Sequence, residues 1–407
     1  MRHLARALLP ALIASIALAQ TPSPPPGFQF ASGSSSLNIP VEVIANGLVL
    51  VQTQIDGHSG WFILDNGTQG FLVDPEFAAR NGLRATEPAV TQQVGVKAAQ
   101  ASLVRDVTIA LPGFTLTHRV LLVTPLKSLE PALGHTVDGI IGTRLFDDFV
   151  VAIDYRHNAV SIFAPDAFHP SGKETILPVR IDAHGFQYVD AAISLPSTPP
   201  ASGSFLVDGG ANYYANLYKP FSDAHHLPPP AMKLLADPDP NAPLASLAID
   251  GRAAQIQVGP FLLKDPPVTF AQDTVGLMAS ADYAGLIGAQ FWQRFNIVFD
   301  NRNQRILLAP NSTYADPALY DQSGLKIHAD PPDFHRFVVT RVLAHSAAAD
   351  AAIQPGDVIT SIDRQPAASL TLSRLRDLLC RPHARYTLGI TRGDNHLSIA
   401  IRLRPLL

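Results

Sequence analysis

Residues 61–68 read WFILDNGT, and this stretch decides the fold together with residues 204–211, which read SFLVDGGA. In both stretches an apolar run ends in an aspartate, Asp65 or Asp208, and a glycine follows two positions later. An apolar strand that runs into aspartate places the carboxylate at the rim of a core, partly out of water. The glycine lets the chain turn sharply and brings backbone N–H groups close to the carboxylate. The pattern therefore predicts two loops that each present one carboxylate.

The same order of motifs continues downstream of each aspartate. Residues 139–142 read GIIG and residues 285–288 read GLIG, and these segments follow Asp65 and Asp208 at nearly equal distances. Beyond them, phenylalanine, aspartate and arginine recur at matching offsets. A repeat of this length exceeds the roughly 20–50 residues of a solenoid unit. We therefore predict two similar lobes.

Most of the chain has the pattern of short strands. Strand-like alternation recurs from residue 41 to about residue 310, and the Asn-Gly and Asp-Gly pairs at 46–47 and 56–57 are strong hairpin turns. Residues 75–82 form one of the few predicted helices, with a glycine at its end. The sequence predicts a mainly β fold, in which two β lobes share a central cleft and a small α+β domain follows.

The composition excludes several classes of protein. The chain has 407 residues, of which 47% are apolar and 16% are charged, and its net charge is −4. This balance argues against wholesale disorder and against a basic nucleic-acid-coating protein. Cys380 is the single cysteine of the sequence, which excludes an internal disulfide framework, a cysteine-ligated zinc site and an iron–sulfur cluster. We predict no cofactor, no metal and no nucleic-acid partner.

The N-terminus has the pattern of an export signal. Two arginines precede an apolar run at 7–19 that ends in Ala-Leu-Ala. Residues 1–19 are therefore predicted to be a signal peptide that is cleaved before Gln20. The apolar run is too short to span a bilayer, so no membrane anchor is expected after cleavage. Residues 20–36 form a Pro/Ser-rich linker, and the expected location is a bacterial periplasm or the cell exterior.

The two Asp-x-Gly loops, each with an apolar-apolar-Gly segment downstream, resemble the pepsin and retropepsin family of aspartic proteases. Over residues 37–407 the chain is similar to exported bacterial aspartyl proteases with two retropepsin-like lobes and a C-terminal PDZ domain. The resemblance implies a first lobe at 37–170, a second lobe at 171–315 and a PDZ domain at 324–407. Because both lobes belong to one chain, a monomer is expected.

The resemblance also implies a set of site residues, with Asp65 and Asp208 as the catalytic pair. The other site residues belong to the loops that follow the aspartates and to the strands that thread beside them: Asn66, Gly67, Thr68, Gly209, Gly210 and Ala211 in the loops, and Ile140, Ile141, Gly142, Leu286, Ile287 and Gly288 in the strands. Two carboxylates in contact cannot both ionise, so the pair shares one proton. One carboxylate then activates a water as general base, while the protonated one hydrogen-bonds the scissile carbonyl of a polypeptide substrate.

The chain departs from the family motif at two positions. The family has Asp-Thr/Ser-Gly, and its hydroxyl groups join the two lobes beneath the aspartates, whereas Asn66 and Gly209 occupy these positions here. The flap expected at 92–104 contains no tyrosine. No substitute for either feature is evident in the sequence. Two hypotheses follow: an active aspartic endopeptidase, and a catalytically inactive exported protein that binds peptides in its PDZ groove and inter-lobe cleft.

The C-terminal region resembles a bacterial PDZ domain. The resemblance rests on the strand-like residues 337–342, an alanine-rich helix at 347–352 and the sequence PGDVI at 355–359. In such a domain an extended peptide adds to an exposed strand edge and its C-terminal carboxylate is held by backbone N–H groups.

The PDZ resemblance implies where a peptide or a protein C-terminus would bind. Phe337, Val338 and Val339 would form the strand edge, residues 333–336 would capture the carboxylate, and a helix at 372–379 would form the far wall of the groove. The alternative is a β-rich cap that binds nothing.

Overall fold

The computed structural model describes residues 12–13, 26–93, 96–236 and 248–407. The predicted signal peptide lies outside the described residues except for the short strand Leu12–Ile13, and so does the first part of the predicted linker, residues 20–25. Among the described residues, no helix is long and apolar enough to cross a membrane. The prediction of a mainly β fold with several sheets is confirmed.

The largest sheet has fifteen strands and draws them from both predicted lobes. In sheet order they are Leu12–Ile13, Glu87–Gln93, Val96–Leu111, Phe114–Val123, Phe71–Val73, Gly139–Ile141, His58–Leu64, Leu48–Ile55, Ser35–Ile44, Ala159–Phe163, Val150–Asp154, Phe295–Asp300, Arg305–Pro310 and Thr175–Pro178, with Gly27–Phe30 pairing beside Phe114–Val123.

Two equivalent strands of the repeat join the halves within this sheet. Val150–Asp154 pairs antiparallel with Phe295–Asp300, with Ile153 opposite Ile297. An antiparallel pair of equivalent strands is what a local twofold axis between two similar halves produces. The phenylalanine rings of Phe146 and Phe299 pack edge to face across the same junction, with centroids 5.1 Å apart.

A second sheet of ten strands contains the remaining strands of residues 180–288. In sheet order they are Leu235–Ala236, Ala248–Arg252, Pro267–Ala271, Ala215–Leu217, Gly285–Gly288, Ala201–Asp208, Gln187–Ser194, Gln255–Val258 and Phe261–Lys264, with Arg180–Ile181 pairing beside Gln187–Ser194. One hydrophobic core extends through both halves and includes the fully buried side chains of Phe62, Phe205, Phe270 and Trp292.

The C-terminal domain has its own sheet and its own core. Its strands, in sheet order, are Leu325–Asp330, Arg336–Val342, Val358–Ile362, Arg385–Arg392 and Asn395–Arg402, with Gln365–Pro366 pairing beside Val358–Ile362. The longest helix, Leu372–Leu379, places Leu372, Leu375 and Leu379 on one buried face, as expected from their spacing.

The helices are short throughout the described ranges. The α-helices are Pro75–Arg80, Glu130–Leu133, Thr143–Asp148, Lys219–Ala224, Ala289–Trp292, Ala347–Asp350 and Leu372–Leu379. The 3-10 helices are Lys127–Leu129, Pro165–Ala167, Leu277–Ala279, Asn301–Asn303 and Ala367–Ser369. The helix predicted at 75–82 begins at Pro75 because Asp74 caps it, accepting a hydrogen bond from the Glu76 N–H at 2.8 Å.

Candidate active site

Asp65 directly follows a strand and Asp208 is the last residue of one. In each half, this strand pairs in parallel with the downstream apolar segment of the same half. His58–Leu64 pairs in parallel with Gly139–Ile141, and the Asp65 N–H continues this pairing by donating to the Ile141 carbonyl at 2.9 Å. In the second half, Ala201–Asp208 pairs in parallel with Gly285–Gly288, with Asp208 opposite Gly288. The two downstream segments therefore lie beside the aspartate strands, and the four apolar residues assigned to them, Ile140, Ile141, Leu286 and Ile287, are buried.

The terminal glycines of these segments let them pass close to the loops. The Gly142 N–H donates to the Gly70 carbonyl at 2.9 Å, and a Cβ atom on Gly142 would overlap the Thr68 carbonyl. Similarly, a Cβ atom on Gly288 would overlap the Ala211 carbonyl. The close approach explains why both segments end in glycine.

The two aspartate loops face each other. A Cβ atom on Gly67 would overlap the carboxylate of Asp208, and a Cβ atom on Gly210 would overlap the carboxylate of Asp65. Each loop's glycine therefore borders the other loop's carboxylate, which brings Asp65 and Asp208 to one point between the two halves. Both side chains are almost fully buried, at 2% and 0% exposure.

The hydrogen bonds to the two carboxylates differ. Asp65 accepts from the Gly67 N–H at 2.7 Å through Oδ1 and from the Thr68 hydroxyl at 2.7 Å through Oδ2. Asp208 accepts from the Gly210 N–H at 3.0 Å through Oδ1, and no described residue hydrogen-bonds its Oδ2 atom. Ala211 occupies the position equivalent to Thr68 and has no hydroxyl to offer. Asp65 is thus better prepared to carry negative charge than Asp208.

The electrostatics of the pair follow from this difference. Burial raises the pKa of Asp65, while the hydrogen bonds from Thr68 and Gly67 oppose the increase. Burial also raises the pKa of Asp208, and the negative charge of Asp65 raises that pKa further, to well above its ordinary value, although the backbone N–H groups of Gly210 and Ala211 oppose the increase. The arrangement favours a state with one proton on the pair, held by Asp208.

Asn66 joins the two loops in place of the hydroxyl groups that the family motif would supply. Its Oδ1 atom accepts from the Gly209 N–H at 2.7 Å, and its Nδ2 atom donates to the Val207 carbonyl at 2.6 Å. One amide therefore holds the backbone on both sides of Asp208. A Cβ atom on Gly209 would lie only 3.0 Å from the Asn66 Oδ1 atom, so the absence of a side chain there makes room for the longer amide.

Two further amides, which the sequence analysis did not single out, extend this link. Asn66 Nδ2 also donates to Gln187 Oε1 at 3.0 Å, and Gln187 Nε2 donates to Asn301 Oδ1. Asn301 Nδ2 in turn donates to Asp147 Oδ1 at 3.3 Å. Gln187 and Asn301 are buried, and their partners lie more than a hundred positions away in the chain. No local motif marks them, since their role depends on contacts between the halves.

The predicted flap falls in a hairpin of the largest sheet. Glu87–Gln93 pairs antiparallel with Val96–Leu111, and Gln93 lies opposite Val96. Residues 94–95 of the predicted flap at 92–104 lie outside the described residues.

The assignment of the PDZ strand edge is wrong. The strand Arg336–Val342 pairs with Leu325–Asp330 on one side and with Val358–Ile362 on the other, so Phe337, Val338 and Val339 are interior to the sheet. An incoming peptide has no free backbone groups to pair with there. Residues 333–336 lie at the turn and the start of this central strand rather than beside a free edge. The edge that faces the helix Leu372–Leu379 across a groove belongs to Leu325–Asp330.

Comparison with known proteins finds two family models that match parts of the chain. Residues 51–145, which include Asp65, match the family model described as aspartyl protease. Residues 320–391 match the model described as PDZ domain. The chain thus contains an aspartyl protease domain and a C-terminal PDZ domain. A search of the curated proteins found no match.

Proposed function

We propose that the protein is an aspartic endopeptidase in which Asp65 and Asp208 form the catalytic pair. The observation that carries the proposal is the mutual contact of the loops, in which each Asp-x-Gly glycine borders the opposite carboxylate. Two buried carboxyl groups at one point share a proton, which is the state that metal-free peptide hydrolysis requires.

The hydrogen bonds support a different role for each carboxyl group. Asp65 is the general base: its carboxylate takes a proton from a water molecule as the water oxygen attacks the scissile carbonyl carbon. Asp208 is the acid: it gives its proton to the carbonyl oxygen, so that a neutral tetrahedral diol forms. The diol collapses when the proton on Asp65 passes to the amide nitrogen and the C–N bond breaks. Asp208 regains its proton from a diol hydroxyl, and the pair returns to its starting state.

The cellular setting is part of the proposal. The arginine-led apolar segment at 1–19 supports export to a periplasm or the exterior, with residues 20–36 as a linker. Polypeptides are the proposed substrates. Because both loops belong to one chain, the proposed active unit is a monomer. The PDZ domain would recognise peptide or protein C-termini, with Leu325–Asp330 rather than Phe337–Val339 as the edge that a peptide extends.

The alternative from another class is a catalytically inactive, exported peptide-binding protein. Asn66 and Gly209 favour it, since they replace the family's hydroxyl residues. The hydrogen bonds of Asn66 to Gly209 and Val207 weaken this argument, because they join the loops without a hydroxyl.

Cleavage of an unfolded protein substrate from acidic to neutral pH tests the proposal. The purified protein is compared with Asp65→Asn and Asp208→Asn, and with Asp394→Asn as a control at an exposed turn of the PDZ domain. We expect cleavage by the protein and by the control, and none by the two site variants. No cleavage by the folded protein at any pH would replace the enzyme by the peptide-binding alternative.

A further inference from the structure

The groove of the PDZ domain borders the first lobe in this protein. Its free strand edge, Leu325–Asp330, contacts the helix Glu130–Leu133 of the first lobe. The four residues of this helix are all buried. The side chain of Leu133 packs into the core of the first lobe, and the Ala132 carbonyl accepts a hydrogen bond from the PDZ domain through Arg376. A segment of the same chain thus lies against the edge to which a peptide strand would be added.

Arg376 connects the helix Leu372–Leu379, the first lobe and the free strand edge. It lies on the helix Leu372–Leu379, which forms the far wall of the groove. One guanidinium nitrogen donates to the Ala132 carbonyl of the first lobe at 2.7 Å, and the other donates to the Ile327 carbonyl of the strand edge at 2.7 Å. Burial lowers the pKa of Arg376 to about 10, so the side chain stays charged at neutral pH. The guanidinium therefore uses an edge carbonyl that a peptide would need.

Further contacts join the first lobe to the start of the same helix. Gly134 adopts a φ of 66°, and a Cβ atom on it would lie 2.7 Å from the Leu372 Cβ atom. The Ala45 N–H of the first lobe donates to the Ser373 hydroxyl at 3.0 Å. The backbone of the first lobe is thus pressed against the helix that a peptide side chain would have to reach.

A cavity of about 260 Å³ lies between the PDZ domain and the two lobes. Its PDZ side is lined by the edge residues Leu325, Lys326, Ile327 and His328 and by Arg376, Leu379 and Cys380, and its lobe side includes Asn46, Ala132, Asn212 and Gln290. Strand addition requires a run of free N–H and C=O groups along the edge, and the Ile327 carbonyl beside this cavity is already bonded to Arg376.

We propose that residues 130–134 of the first lobe are the resident occupant of the PDZ groove, held there by Arg376. An external peptide strand and the first lobe then exclude each other, and peptide binding requires release of the PDZ domain from the lobe. The first lobe also keeps this edge from pairing with other chains. Soluble proteins commonly cover strand edges in this way. The proposal concerns the groove alone and does not depend on whether Asp65 and Asp208 are active.

Hydrogen–deuterium exchange of the purified full chain tests it. Arg376→Met removes both hydrogen bonds and keeps the apolar stem, and Arg374→Met on the exposed side of the same helix is the matched control. We expect Arg376→Met to raise the exchange rate by about tenfold or more in both 325–330 and 130–134, with no change in the control. Unchanged exchange in 130–134 would overturn the proposal, because that segment belongs to the other domain.

An engineered disulfide between the first lobe and the PDZ domain distinguishes release of the PDZ domain from the lobe from unfolding of the PDZ domain. Ala45→Cys and Ser373→Cys place two thiols beside a hydrogen bond that now joins the domains, Cys380→Ser leaves only this pair, and thiol titration verifies that the disulfide has formed. In this background, Arg376→Met should show slow exchange in 325–330 when oxidised and fast exchange after reduction. Fast exchange in the oxidised protein would mean that the PDZ domain itself opens, and the proposal would be wrong.

Discussion

Asn66 of the first loop and Gly209 of the second are complementary: the amide oxygen of Asn66 accepts the Gly209 N–H at 2.7 Å, and the space that a Gly209 side chain would need is taken by that oxygen. A pair of hydroxyl residues has been exchanged for one long amide and one glycine. The two replacements depend on each other. The Asn66 amide needs the room left by the missing side chain of Gly209, and that room is filled only because residue 66 is an asparagine.

Exchanging both residues for the family's hydroxyl residue tests this complementarity. Asn66→Thr alone leaves the Gly209 N–H and the Val207 carbonyl without their partner, and Gly209→Thr alone forces a side chain against the Asn66 oxygen. Each single variant should lose about tenfold or more in kcat/KM and about 1–3 kcal/mol in free energy of unfolding. The double variant should recover most of both. Additive losses in the double variant, measured by cleavage rate and denaturant unfolding, would contradict the complementarity.

Gln187 should act as a positioning residue through Asn66. Gln187→Leu removes the acceptor of the second Asn66 amide hydrogen and the donor to Asn301. We expect kcat to fall by about threefold to tenfold, with KM nearly unchanged, because the residue touches no substrate. In the Asn66→Thr/Gly209→Thr background the same change should have little effect on kcat. An equal loss of kcat in both backgrounds would show that Gln187 acts by another route.

The Thr68 hydroxyl should set the acidic limit of activity. It donates to Asp65, and this hydrogen bond opposes the increase in the pKa of Asp65 that burial causes. Thr68→Val keeps the shape and removes the donor, so the pKa of Asp65 should rise and the base should be protonated at a higher pH. The acidic limb of the kcat/KM profile should move up by on the order of one pH unit, while the alkaline limb stays. Movement of the alkaline limb alone would reverse the assigned roles of Asp65 and Asp208.

Asp147, at the end of the chain of amides, should make stability depend on pH. Burial raises its pKa from 3.8 to about 6. Between these values the folded protein binds more protons at Asp147 than the unfolded chain does, so this group lowers the free energy of unfolding as the pH rises through that window. Asp147→Asn keeps an acceptor for Asn301 and removes the charge. We expect the variant to be more stable than the protein by about 1 kcal/mol at pH 7.5, after allowance for partial solvent screening, and not at pH 4.

Denaturant unfolding at the two pH values measures this effect. Asp394→Asn, at an exposed turn, is the control and should not alter the pH dependence. An equal decrease in the free energy of unfolding of Asp147→Asn at both pH values would contradict the prediction. It would show that the Asp147 carboxylate stabilises the protein as a hydrogen-bond acceptor.

The local sequence indicates the form of the two aspartate loops because each loop consists of consecutive residues with strong local preferences. An apolar run predicts the strand, and a glycine two positions after Asp65 or Asp208 predicts the turn. The internal repeat then predicted that two such loops exist, and the parallel neighbours of both aspartate strands follow from the same order of motifs.

The error at Phe337–Val339 has a different cause. Alternating apolar residues predict a strand but not its position in a sheet, and a central strand and an edge strand share the same pattern. The position was decided by pairing with Leu325–Asp330 and Val358–Ile362 on either side. The contact between Glu130–Leu133 and the strand Leu325–Asp330 depends on the placement of one domain against another, which no local pattern contains.

The sequence by itself determined the mainly β character, the repeat, the two carboxylates and the PDZ domain, since these depend on residues that are neighbours or that recur in a fixed order. Tertiary structure alone decided how the loops are joined. Asn66 meets Val207 and Gly209 from positions more than a hundred residues away, and Gln187 reaches Asn301 across a similar span. A buried amide is stable only when its hydrogen-bond partners are in place, and those partners come together only when both halves have folded against each other.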